Sequence, residues 1–234
     1  MLISVLSGVE APADITVFMT TSQNGVMFSG GYAGMRRCGE SYALLKRQFG
    51  IEDMITLQQH HSADILEVDR ESYSSRTGAL GDGLFTASKE LALGILTADC
   101  YPVLLAGGDH IAALHCGWRG TVKGIIANAV KLFEANGDKP GYAYVGAGIT
   151  KNAFCVQSDF IVEVERYIAP EPYLSEKRGE FYFDLAGLIN DQLNYHCIDT
   201  VEYAGLCSYG DNRFHSYRRD GKEAGRMLSV ICRS

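Results

Sequence analysis

The chain has 234 residues, 47% hydrophobic and 21% charged, with a formal charge of −7. That acidity disfavours broad binding to a nucleic-acid backbone, and no run approaches the roughly 20 apolar residues that cross a bilayer, so neither nucleic acid nor membrane is an expected partner. The seven cysteines are odd in number, widely spaced and without a CxxC, which predicts free thiols in a reducing cytoplasm rather than a disulfide framework.

Residues 1–14 are weakly apolar without a basic region before them, and are not expected to act as a signal peptide. Residues 15–19 read as a short strand, 22–25 as a turn, and the glycine-rich 27–37 as an irregular loop over a site. Apolar side chains at Tyr42, Leu44, Leu45 and Phe49 predict an amphipathic helix over 40–49, ended by Gly50. A strand at 54–58 delivers Gln59, His60 and His61; another follows at 64–68, then a polar surface loop at 72–83, with 82–86 running into a short turn at 87–90. Three apolar runs come next, at 93–96, 103–106 and 111–114, and such unbroken runs mark strands buried on both faces.

After Gly120, residues 121–136 carry a strong helical period, which 137–141 stops. A strand at 142–147 and a helix at 159–168 precede the break at Pro170 and Pro172. A short strand at 181–183, a helix at 184–195 capped by Asp184, and a strand at 200–204 follow. Residues 205–219 are irregular but rich in Tyr, Arg and His, and 224–230 form a short terminal strand. There is no repeat, low-complexity tract or linker. The expected fold is α/β (α+β): residues 1–234 as a single mixed-sheet domain with flanking helices.

The chemistry concentrates between residues 93 and 120. The first apolar run leads to Asp99 and Cys100, the third to His115 and Cys116, and Gly117, the only Trp (118), Arg119 and Gly120 then open a helix. Side chains alternate along a strand. A four-residue turn between the second and third runs therefore puts Cys100 on the same face as His115. A three-residue turn pairs it with Cys116 instead, and both registers remain open. A third soft ligand would come from His60 or His61, of which one can face the site. Two histidines and a cysteine suit zinc, and a catalytic zinc keeps a fourth position open. Arg119 at a helix start could hold an anion or make a surface ion pair. Arg218 and Arg219 offer the same two choices. Asp99 is a candidate general base, a partner orienting a histidine, or a turn residue.

At these residues the chain resembles the laccase-domain family, also called the polyphenol oxidase or purine nucleoside phosphorylase family. Residues 59–64 (QHHSAD) resemble its Q-V-H-G-A-D, residues 97–105 (TADCYPVLL) its T-A-D-C-x-P-V-L-L, and residues 115–120 (HCGWRG) its H-A-G-W-R-G. Residues 214–219 together with Gly225 and Arg226 resemble its closing S-Y-R-R…G-R. The resemblance implies metal ligands at His61, Cys100 and His115, hence the four-residue turn, with His60 and Cys116 outside the ligand set. It implies a zinc enzyme, with copper as the alternative metal, and it implies purine nucleosides and phosphate as partners. The expected catalytic residues are Asp99, Arg119 and Arg218. The chain departs from the family at Phe154 and Cys155, where Tyr-Glu is usual, and in residues 19–39, where S-T-R-x-G-G and N-L-G-x-H-V-G-D have no clear counterpart.

The resemblance implies phosphorolysis of purine nucleosides, methylthioadenosine included, together with adenosine deamination. Its alternatives are a metal-dependent hydrolase that edits peptidoglycan precursors, a copper-dependent phenol oxidase, or a non-enzymatic protein with a vestigial zinc site. A coupled multicopper oxidase is poorly matched. Its blue copper takes two His and a Cys, and its trinuclear centre about eight further His, whereas the whole chain has six.

Overall fold

Two β-sheets packed face to face, with helices on both outer sides, form the body of the protein, seen in a computed structural model that describes residues 5–22 and 39–234. The strands in chain order are β1 (Val5–Ser7), β2 (Ile15–Thr20), β3 (Asp53–Thr56), β4 (Ile65–Glu67), β5 (Gly83–Thr86), β6 (Leu91–Thr97), β7 (Tyr101–Ala106), β8 (Ile111–Cys116), β9 (Tyr142–Val145), β10 (Cys155–Val156), β11 (Leu174–Lys177), β12 (Glu180–Phe183), β13 (Thr200–Tyr203) and β14 (Met227–Arg233). One sheet runs β1-β2-β14-β6-β3 and the other β13-β9-β7-β8-β5-β4; both are mixed. A small antiparallel sheet, β10-β12-β11, stands beside them. The helices are α1 (Gly39–Phe49), α2 (Tyr73–Arg76), α3 (Trp118–Val122), α4 (Ile125–Ala135), α5 (Ser158–Val164), α6 (Leu185–Tyr195) and α7 (Tyr217–Asp220).

The layering explains the long apolar runs. Along β7, Leu104 and Ala106 pack against Leu93, Ile95 and Ile231 of the facing sheet, while Val103 and Leu105 pack under Ile126 and Phe133 of α4 and Ile189 of α6. Along β6, Leu91, Leu93 and Ile95 face the other sheet, while Ala92 and Leu96 meet Tyr42 and Leu45 of α1. Central strands thus lose both faces to water, and alternation disappears from their sequence.

The α/β class with mixed sheets and flanking helices is the one expected, built from two large sheets rather than one. Four local expectations need correction. The single helix over 121–136 is two helices, because Gly124 adopts φ +85° and turns the chain between α3 and α4; only glycine takes that conformation without strain. The surface loop at 72–83 contains α2 and ends in Asp82, which is fully buried. The stretch 82–86, expected only as a lead-in to a turn, contains strand β5 (Gly83–Thr86), paired with β8, before the turn at residues 89–90. The terminal strand runs over Met227–Arg233 rather than 224–230, and it lies between β2 and β6 with hydrogen bonds to both. The loop expected at 27–37 and most of the turn at 22–25 lie outside the described residues.

Replacing Leu104 with Ala removes a fully buried side chain from between the two sheets. The expected loss is about 2–5 kcal/mol, read as a lower urea midpoint. A change below about 1 kcal/mol would contradict the packing described.

Candidate metal centre and adjoining pocket

The register of the β7–β8 hairpin places the chemistry. Ala106 pairs with Ile111 and Pro102 with His115 across a four-residue turn, closed by Gly107 N–H donating to the His110 carbonyl at 2.9 Å. His115 therefore shares a face with Cys100, two residues before Pro102. Cys116 points the other way, into the apolar layer under the helices. His61 arrives from the loop after β3, with φ +64°, a strained value for a side-chain-bearing residue. The donor atoms of His61, Cys100 and His115 all lie within 4.8 Å of one another. Cys100 Sγ is 3.8 Å from His61 Nε2, and the two imidazoles meet edge-on with centroids 4.8 Å apart.

Gly117 keeps this space open. A Cβ there would sit 2.9 Å from His61 Cδ2 and 3.0 Å from Cys100 Sγ. Two imidazoles, a thiol and room between them fit a transition-metal ion of borderline softness. His60 is half-exposed and its ring leans towards Asp64 and Asp82, at 3.8 Å from each. It is outside the cluster, as is Cys116.

Burial opposes ionisation of Cys100, His115 and Asp82, and their neighbours reverse it. The His115 charge, with hydrogen bonds from His115 and His61, pulls the Cys100 thiol down to about 6. Cys100 and Asp82 hold the His115 imidazolium well above the usual histidine range. The Asp82 carboxyl, against its own burial, is held far below the ordinary range by His115 and Ser62. A thiolate is the form that binds metal. Burial, with the neighbouring Cys100, pushes the Cys116 thiol above the usual range.

A cavity of about 560 Å³ opens over the cluster, with His61, Cys100 and His115 in its wall. Trp118, Phe154, Leu185 and Ile149 supply apolar walls, and Gln58, Tyr217, Arg218 and Arg226 supply polar ones. Arg218 lies over the Phe154 ring, 5.5 Å from its centroid, and its Nη1 donates to the Cys155 carbonyl at 2.8 Å. Arg226 Nη1 donates to the carbonyls of Ala224 and Gly225. Neither guanidinium is ion-paired among the described residues. Asp99 also lines the cavity, but both its carboxylate oxygens are engaged: Ser208 Oγ donates to one at 2.7 Å and the Arg218 backbone N–H to the other at 2.6 Å. It orients no histidine. Arg119 does not line the cavity; it stacks on Trp118 at 4.2 Å and pairs with Glu163 of α5 at 3.4 Å. Asp82 and Phe154 were not among the residues expected to act, and Arg226 was noticed only as part of a matching block.

A family described as multi-copper polyphenol oxidoreductase laccase matches residues 35–234. The chain belongs to this family. A Deinococcus radiodurans protein named purine nucleoside phosphorylase is 32% identical over 226 residues, 90% of this chain and 87% of that one. An Escherichia coli relative, named purine nucleoside phosphorylase YfiH, is 31% identical over 76% of this chain and 72% of its own. A Neisseria meningitidis protein of solved structure, NMB0706, superposes with a TM-score of 0.80 at 26% identity, covering 98% of this chain and 99% of that one. Bacillus licheniformis YfiH shares the fold, with a TM-score of 0.84 over 97% of this chain and 99% of that one at 23% identity. The laccase name implies several coppers, yet among the described residues His61, Cys100 and His115 form the one cluster of three or more His, Cys, Asp or Glu ligands found.

Gly117→Ala is expected to abolish stoichiometric metal uptake while the protein still folds, with metal content read by elemental analysis; uptake equal to the parent's would contradict the close approach. Iodoacetamide alkylation of Cys100 in metal-free protein should rise through pH about 6 and flatten above it. An ordinary thiol, titrating near 8.5, gives a rate still climbing at pH 8. Peptide mapping distinguishes Cys100 from the other thiols, and added zinc should protect it.

Proposed function

We propose that this chain is a zinc-dependent purine nucleoside phosphorylase that also cleaves methylthioadenosine and deaminates adenosine. The observation that carries this reading is the convergence of His61, Cys100 and His115 in the wall of one cavity with two arginines that pair with no carboxylate among the described residues. The names of its relatives support the substrate class. Zinc held by these three residues would supply Lewis acidity to the reaction.

The residues of the chain divide the remaining work. Arg218 and Arg226 offer guanidinium groups to phosphate, the match that favours arginine at anion sites. Phe154 braces Arg218 from below, and the Cys155 carbonyl fixes one of its nitrogens. Where the family usually has an acid, Cys155 offers Arg218 a backbone carbonyl, and no carboxylate among the described residues pairs with the guanidinium. Trp118 and Phe154 present flat apolar surface of the kind that takes a purine ring. Asp99, with both oxygens engaged, holds the Arg218 backbone in place rather than moving a proton. Arg119 stiffens the Trp118 wall from outside.

The zinc-loaded protein is expected to release free base from inosine and adenosine only when phosphate is present, and a chelator should stop it. No phosphate-dependent release with one zinc bound per chain would overturn the reading. Arg218→Ala should raise the KM for phosphate by about tenfold or more, the loss of one charge-assisted hydrogen bond, with a smaller effect on the KM for nucleoside. An unchanged phosphate KM would remove Arg218 from the anion site.

A further inference from the structure

We infer that Asp82 is the positioning residue of the metal centre: one buried carboxylate sets the ring tautomer of His115 and the backbone of His61, and so aims both imidazoles at a common point. This rests on the reading of His61, Cys100 and His115 as metal ligands. Asp82 is fully buried immediately before β5. Its Oδ1 accepts from His115 Nδ1 at 2.7 Å and from the His61 backbone N–H at 2.9 Å. Its Oδ2 accepts from Ser62 N–H at 2.7 Å, Ser62 Oγ at 2.8 Å and His60 N–H at 3.2 Å. Its own carbonyl accepts from His115 N–H at 2.7 Å.

These bonds have two consequences. A carboxylate oxygen at Nδ1 requires the proton there, which leaves the Nε2 lone pair of His115 for a metal; such outer partners fix the ring orientation of a ligand. The loop carrying His61 is held by three successive N–H groups on the same carboxylate, which sustains the left-handed φ of +64° that turns His61 towards Cys100. An unpaired strained residue of this kind would relax. The two ligands belong to segments far apart in sequence, and Asp82 is the group both touch.

The protein contains its own control. Asp138 is a second carboxylate that accepts from a histidine Nδ1, that of His110 at 3.0 Å, and from the backbone N–H groups of Gly108, Asp109, His110 and Lys139. Among the described residues His110 belongs to no cluster of metal-ligating groups, and its ring stacks on Phe85, 5.0 Å between centroids. Asp138 organises a turn, and Asp82 does the same bonding work beside a ligand cluster.

Zinc affinity by competition with a chromogenic chelator, and the visible spectrum of the cobalt(II)-substituted protein, are measured for the parent, Asp82→Asn and Asp138→Asn. Asp82→Asn is expected to weaken zinc binding about 10–100-fold and to alter the cobalt spectrum. Asp138→Asn is expected to lower the melting temperature while leaving affinity and spectrum as in the parent. Equal zinc affinity and an unchanged spectrum in Asp82→Asn would overturn the assignment to Asp82 alone. A parent that takes up no zinc would overturn the metal reading and this one with it. Nitrogen-15 spectra of the zinc-loaded parent test the point without any variant that must fold: a protonated Nδ1 on His115 supports it, and a protonated Nε2 overturns it.

Discussion

The β7–β8 hairpin is buried on both faces, and the rest of the architecture follows from that constraint. With all twelve of its strand residues buried, a slip of one residue would exchange the layer that meets the helices with the layer that meets the second sheet. The shapes on the two sides differ: one is the ridge of Ile126, Phe133 and Ile189, the other the flat face of Leu93, Ile95 and Ile231. Register is therefore held by packing along the whole hairpin. The same register decides that His115, not Cys116, stands with Cys100. The chemistry at the end of the hairpin is inherited from the hydrophobic pattern in its middle.

A hairpin alone supplies two donors. The third must come from another segment, and chain entropy opposes holding such a segment in a strained conformation. Asp82 meets that cost through charged hydrogen bonds in a site closed to water, where such bonds are strong. The carboxylate is itself tolerable there because every lone-pair direction finds a donor. Gly117 completes the arrangement by absence: a side chain there would press on both His61 and Cys100.

The pocket combines this fixed corner with a wall drawn from the end of the chain. Arg218 and Arg226 both precede β14, the strand that lies between β2 and β6. Asp99, beside Cys100 of the candidate metal centre, takes the Arg218 N–H. The segments bearing the arginine and the cysteine are thus fastened at one carboxylate. An acidic protein can in this way present a locally positive cavity, since the field at a site depends on the nearest uncompensated charges more than on the net sum.

The sequence by itself determined the α/β class, the central buried hairpin, the helices α1 and α6 with the Asp184 cap, and a supply of soft-ligand side chains near residues 60–61, 100 and 115–116. These are properties of local period and residue type. It left the hairpin register open until the family's blocks were compared, because alternation cannot be counted across a turn of unknown length. Tertiary structure alone decided the rest. Gly81-Asp82-Gly83 reads as loop composition, and nothing nearby in sequence shows that two histidines 21 and 33 residues away would bond to its carboxylate. Gly124 sits in an unbroken helical period, so only its positive φ reveals the break. Arg119 and Arg218 are alike as letters. Neighbours brought from distant segments, Glu163 for one and Phe154 with Asp99 for the other, turn the first outward and the second into the cavity. Period and composition are short-range quantities, whereas a site is made by whichever side chains the packed layers bring within a few ångströms.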